Sequence, residues 1–177
     1  MRPPGTRLVA RRLVLEPFSE AAIGPEYLAW LNDAQVMRFS NQRFRRHTEE
    51  SARSYLASFS GSDNLLLAIR LAEGGRMIGT MTAYVAVPHG TADMGLMIGE
   101  RGSWGRGYGL EAWSRLLTHL LGERGLRKVT AGTVRANVGM RIIMERSGMQ
   151  LEAVRPRQEI IDGAEEDVLH FARYRDS

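Results

Sequence analysis

The chain has 177 residues, 44% hydrophobic and 25% charged, which fits one globular domain over residues 1–177 and argues against general disorder. It contains no cysteine, so a disulfide framework, a thiolate nucleophile and a cysteine zinc site are excluded, and His47, His89, His119 and His170 are too dispersed for a metal motif. The net charge of +4 favours an anionic ligand, yet the arginines are scattered, so no nucleic-acid partner is expected.

In chain order, residues 8–17 are rich in leucine and valine and end at a proline, as a first strand does. The start of the chain lacks the apolar core of a secretory signal. No run of about 18 apolar residues spans a membrane. A cytoplasmic protein with no membrane partner is therefore expected. Ser19 caps a short helix that Gly24-Pro25 interrupts, and residues 25–31 restart it, because proline suits a first helical position. The densest basic run, Arg43-Phe-Arg-Arg-His47, follows. Thr48-Glu-Glu opens a second helix with an N-cap and acids at its positive end. Residues 65–71 and 77–87 form a strand pair around Gly74-Gly75, and residues 91–98 a further strand.

Residues 102–109 form a glycine-rich loop. Behind it Leu110, Trp113, Leu117, Leu120 and Leu121 recur at helical spacing. Residues 128–134 read as a strand, 137–147 as a helix stopped by Gly148, and 151–161 and 165–174 as strands flanking the hairpin signal Asp162-Gly163. The order β-α-α-β-β-β-α-β-α-β-β is mixed α/β rather than regular βαβ alternation.

The loop Gly105-Arg-Gly-Tyr-Gly109 lies between a strand and a long helix. Glycines there let the backbone approach a ligand closely, and the freed N–H groups and helix dipole favour an anion. Arg101 and Arg106 add positive charge. A P-loop would need Gly-Lys-Ser/Thr, which is missing. A dinucleotide fingerprint would need G-x-G-x-x-G and an acid after the next strand, where this chain has Arg135-Ala-Asn137. Phosphate binding of another kind and a glycine-rich strand–helix turn with no ligand are the remaining readings.

Residues 95–99 followed by Trp104-Gly-Arg-Gly-Tyr-Gly-Leu-Glu-Ala112 resemble the acetyl-CoA motif of the GCN5-related N-acetyltransferase (GNAT) superfamily, Gln/Arg-x-x-Gly-x-Gly/Ala. Only the first position, Trp104, departs from it. Asn137, Met140, Glu145-Arg146 and Gly148-Met149 are similar to the family's next motif. The N-terminal stretches 12–17 and 30–33 resemble the subgroup of ribosomal-protein and amino-sugar acetyltransferases, so the resemblance covers nearly the whole chain. It implies a twisted, splayed mixed sheet of about seven strands flanked by about four helices, with acetyl-CoA or another acyl-CoA as co-substrate.

The resemblance also assigns residues. Leu96, Met97 and Ile98 would bind the pantetheine arm through their backbone. Trp104, Gly105, Arg106, Gly107, Tyr108, Gly109 and Leu110 would hold the pyrophosphate, and Asn137 would contact the pantetheine; Asn137 is equally well placed as a helix cap. Asp93 is the candidate base, at the place where histone acetyltransferases of the superfamily carry a carboxylate. Strand alternation puts it on one face with Gly95 and Met97. Glu100 and Glu111 are less suited, one in the loop and one in a first helical turn. Met140 and Met144 occupy positions where relatives have a serine and a tyrosine, so the usual general acid is missing. Tyr108 and His170 are proton donors that no spacing singles out.

The acceptor site is expected from residues 27–47 and 157–167, with Phe44, Arg45 and His47 as contacts for an anionic acceptor such as a nucleotide-linked amino sugar or other small amine. A protein N-terminus, as in the ribosomal-protein enzymes, is the alternative acceptor. A non-catalytic acyl-CoA-binding module is the alternative of another class. A homodimer is kept open.

Overall fold

The computed structural model describes residues 6–176. In chain order it contains β1 (Leu8–Val9), β2 (Leu13–Pro17), α1 (Pro25–Leu31), α2 (Glu49–Ala57), β3 (Leu65–Leu71), β4 (Met77–Ala86), β5 (Thr91–Ile98), α3 (Tyr108–Thr118), β6 (Lys128–Val134), α4 (Val138–Arg146), β7 (Gln150–Ile161) and β8 (Ala164–Tyr174). The strands form one open sheet in the order β1-β2-β3-β4-β5-β6-β8-β7. Every neighbouring pair is antiparallel except β5–β6.

Eight strands appear where about seven are expected, because residues 8–17 are not one strand. The chain bends at residues 10–12 and folds back, pairing Leu8 with Leu15 and Val9 with Val14. The bend has a visible cause. The Arg12 backbone N–H and its Nε both donate to the carboxylate of Glu111 at the start of α3, at 2.5 and 2.7 Å. A straight strand would carry Arg12 away from that anchor.

The last hairpin forms as the sequence implies. Asp162 and Gly163 both adopt positive φ, 50° and 83°, the signature of a two-residue turn whose twist matches the flanking strands.

The sheet is covered on both faces. On one face α3, the helical turn His119–Glu123 and α4 bury Trp113, Leu116, Leu117 and Leu120, with Met144, against Leu13, Leu67, Ala92, Met94, Val129 and Phe171. On the other, α1 and α2 bury Tyr27, Trp30 and Ala52 with Phe59 against Leu66, Ala68 and Met97. The i, i+3, i+4 spacing on α3 and the two-residue alternation on β5 place these groups. Among the described residues no helix is long and apolar enough to cross a membrane.

Candidate active site

The parallel strands β5 and β6 are paired only through Thr91–Lys128, Ala92–Val129 and Asp93–Thr130. Beyond Asp93 they part and leave a wedge in the sheet. On the far side of β5 the ladder to β4 continues to Gly79–Ile98, and the Gly99 N–H donates to the Ile78 carbonyl at 2.9 Å. In an antiparallel ladder the direction of the polar groups alternates. Gly95 and Met97 therefore spend their backbone groups on β4, while Leu96 and Ile98 present theirs to the wedge. The Ile98 carbonyl accepts the indole N–H of Trp104 at 2.8 Å.

Leu96 and Ile98 thus sit where a ligand's amides could continue the sheet. Met97 differs from its sequence neighbours. Its side chain, rather than its backbone, reaches a ligand space on the α1–α2 face.

The glycine loop closes the open end of the wedge. Glu100 caps a short turn at Arg101–Ser103 by accepting from the Gly102 N–H and the Ser103 hydroxyl. The Arg101 guanidinium is held by Asp33. Gly107 then takes φ +80°, a left-handed conformation that costs a side-chain-bearing residue about 1–2 kcal/mol, and α3 starts immediately without a side-chain cap. Among the described residues, no protein acceptor meets the N–H groups of residues 105–110. Six donors at the positive end of an 11-residue helix form a ready anion cradle.

Arg12 underpins this cradle. It donates to the Arg106 carbonyl at 3.0 Å, and its guanidinium lies 4.5 Å from the centre of the Tyr108 ring. Glu111, in the first turn of α3, holds Arg12 in place. No local sequence signal marks Arg12, because its partner is 99 positions away.

Asn137 acts as a cap. Its side-chain oxygen accepts from the Met140 N–H at 3.2 Å and its amide donates to Thr133 at 3.1 Å. Met144 is fully buried in the α3–α4 core and Met140 packs against it, so both are packing residues.

On the α1–α2 face a cavity of about 480 Å³ opens against the wedge. Gly95, Leu96 and Met97 lie along it, with Thr80 and Thr82 from β4 and Tyr55 from α2. Arg45, Arg46 and His47 border it. Its lining includes no carboxylate, and neither Arg45 nor Arg46 has an ion-pair partner among the described residues.

The Arg45 and His47 expectations therefore converge on one cavity. Phe44 does not join them. It is 74% exposed and stacks under the Arg43 guanidinium at 4.2 Å. His47 is fixed by its N–H to Asn32 Oδ1 at 2.9 Å and by Nε2, which donates to the Gln42 carbonyl at 3.0 Å.

Asp93 stands at the root of the wedge, where it accepts the Thr130 hydroxyl at 2.7 Å. Solvent reaches it from one side, but the surrounding protein pushes its carboxyl above the ordinary range; the Thr130 hydrogen bond and the His170 charge oppose this only in part. Its cross-strand neighbour Tyr84 shares a 2.8 Å hydrogen bond with Tyr55. Burial and that bond raise the Tyr55 phenol, so it stays protonated. The tyrosine pair escapes a sequence reading because its members lie on α2 and β4 with no motif linking them.

The family model of the acetyltransferase (GNAT) domain matches residues 12–150. The chain belongs to the GNAT acetyltransferase family. No curated protein matches the sequence. Among solved structures, a GNAT-family acetyltransferase from Bacillus anthracis is similar at 19% identity, covering 97% of this chain and 100% of that one with a TM-score of 0.83. RimL, a ribosomal L7/L12 alpha-N-protein acetyltransferase in complex with coenzyme A, matches at 16% identity over 96% of this chain and 98% of its own, TM-score 0.82. A spermidine N-acetyltransferase from Vibrio cholerae, in complex with CoA and spermine, matches at 15% identity over 93% and 96%, TM-score 0.81.

Membership makes the chain an acetyltransferase, with acetyl-CoA as the co-substrate of its family. The wedge edge and the cradle fit that donor: amide partners for an extended arm, and clustered N–H groups for a pyrophosphate. Gly107→Val should strain the cradle backbone and bring its Cβ to about 3.4 Å from Arg12. We expect the dissociation constant for CoA, measured by calorimetry, to rise at least tenfold, on the order of 1.4 kcal/mol, while the fold survives. An unchanged constant would remove the loop from the binding site.

Proposed function

We propose that the chain acetylates a small primary amine that carries an anionic group, such as a phosphorylated or nucleotide-linked amino sugar, by direct attack on acetyl-CoA. The observation that carries this reading is the cavity beside Gly95–Met97, whose lining holds no carboxylate and whose Arg45 and Arg46 have no ion-pair partner among the described residues. Such a lining attracts an anion and repels a polycation of the kind bound by the Vibrio cholerae relative. The hydroxyls of Ser40, Thr80, Thr82 and Tyr55 in the same lining suit a polyhydroxylated acceptor.

In this reading the pantetheine lies along the wedge edge of β5, with its pyrophosphate over residues 105–110. The amine enters from the arginine-lined cavity. It must be neutral to attack, so it enters as the free amine, and Asp93, directly or through a water, takes its N–H proton as the bond to carbon forms. A C–N bond forms at the thioester carbonyl, and the oxyanion is met by a backbone N–H of the Leu96–Ile98 edge. The C–S bond then breaks and CoA leaves as its thiol.

The acceptor is tested by following free thiol release from acetyl-CoA with phosphorylated amino sugars, nucleotide-linked amino sugars, N-terminal peptides of acidic proteins, and spermidine. Turnover should be highest with the anionic sugars. Arg45→Ala and Arg46→Ala should each raise the acceptor KM several-fold and leave the acetyl-CoA KM unchanged. Preference for peptides would favour protein N-terminal acetylation, preference for spermidine would contradict the cavity argument, and CoA binding without turnover would indicate a non-catalytic module.

Asp93 gives a signed pH test. The base works only when ionised, so the rate should rise with pH through a carboxyl value above the ordinary range. Asp93→Asn should abolish that limb and cost about 10²-fold at neutral pH, less at high pH. Stability runs the other way. A carboxyl whose folded pKa is raised favours the fold when protonated, below the ordinary carboxylate range, and loses that contribution as pH rises through the folded value. Asp93→Asn should therefore raise the thermal midpoint at neutral pH. A slow variant with the wild-type pH profile would remove Asp93 from the role.

A further inference from the structure

Departure of CoA sulfur is easier if a proton meets it, and Met140 and Met144 have none to give. A different group stands at the wedge. On β8, His170 is the register partner of Gly132 on β6. Gly132 lies two residues beyond Thr130, the last β6 residue paired with β5, so this part of β6 is the wall of the wedge opposite Leu96 and Ile98. The imidazole lies across the glycine: a Cβ at Gly132 would come within 3.2 Å of its Cε1 and Nδ1. The missing side chain is what seats the ring.

Strand alternation puts Gly132 and His170 on the same sheet face as Thr130 and Asp93, the face on which the acceptor cavity opens. Nε2 of His170 is buried and has no hydrogen-bond partner among the described residues. A buried ring nitrogen without a partner is costly unless a ligand or water completes it. The charged groups around it are few. Asp93 on β5 and Glu152 on β7 both feel its charge. Glu152 is already engaged by Lys128 of β6 and by the Tyr174 hydroxyl at 3.1 Å, which leaves Asp93 as the carboxylate not held in an ion pair.

We propose that His170 donates the proton taken up by the CoA sulfur, from the β6 wall of the wedge, while Asp93 at its root receives the proton of the amine. The inference rests on the acetyl-CoA reading above. As the C–N bond forms, Asp93 accepts the N–H proton. As the C–S bond breaks, the imidazolium gives its proton to sulfur. A proton passing from Asp93 to His170 through water restores the starting state, so no other reactant is consumed.

The test needs no knowledge of the acceptor. Imidazole nitrogen resonances of the full-length, ¹⁵N-labelled wild-type protein are recorded alone, with CoA and with desulfo-CoA, each at a saturation established by calorimetry. His170 is assigned by the signals lost in His170→Gln. The ring nitrogens of His170 should differ between the CoA and desulfo-CoA complexes, while those of His89 and His119 do not. With any acceptor active in the thiol-release screen, His170→Gln should lower kcat at least tenfold, leave the acetyl-CoA KM within twofold, and change the pH profile. Identical His170 signals in the two complexes would overturn the role while leaving the acetyl-CoA reading intact. A protein that binds neither ligand would overturn both.

Discussion

The separation of β5 from β6 after the Asp93–Thr130 pair is the constraint on which the site depends. Up to that point the two strands satisfy each other. Beyond it, β5 keeps its ladder to β4 on one side and exposes the amides of Leu96 and Ile98 on the other. Buried backbone groups left without partners are unfavourable, so the wedge is a standing demand for a hydrogen-bonding ligand of extended shape. The sheet is thereby split by design, with its two walls fixed independently: β5 by β4, and β6 by β8.

Each functional element is then placed relative to that split. The chain leaving β5 turns through Glu100–Ser103 and enters α3 at Gly107, which brings the N–H cradle to the mouth of the wedge. Arg12 ties the cradle to the far edge of the sheet, so the small β1–β2 hairpin also shapes the cradle. Chain leaving β6 enters α4 through the Asn137 cap, and β8 lays His170 across Gly132 of β6. The arginine-lined cavity meets the split from the α1–α2 face. The two faces differ in kind: α3 and α4 supply a dry core and the anion cradle, α1 and α2 the cavity proposed for the acceptor.

What could be read in the sequence follows from the range of the interactions. The α3 stripe, the Asp162-Gly163 turn and the uncapped glycine loop are local, and their residues carry the signal themselves. The spacing of Asp93, Gly95 and Met97 gave their shared face, since alternation is also local. The break at residues 10–12 was invisible, because it answers to Glu111 across the fold. The same holds for the Tyr55–Tyr84 bond and for the seat that Gly132 provides for His170. Leu96, Met97 and Ile98 look alike as three consecutive residues, and only the ladder parity separates Met97 from the other two. Phe44, expected as an acceptor contact, lies outside the cavity with Arg43 over its ring.

The account makes its most direct claim about backbone groups, so amide hydrogen exchange with and without CoA tests it best. On CoA binding, exchange at Leu96 and Ile98 and across residues 105–110 should slow markedly. Exchange at Gly95 and Met97, already bonded to β4, should change little. CoA binding that left the Leu96, Ile98 and 105–110 amides exchanging at their free rates would contradict the placement of the donor in the wedge.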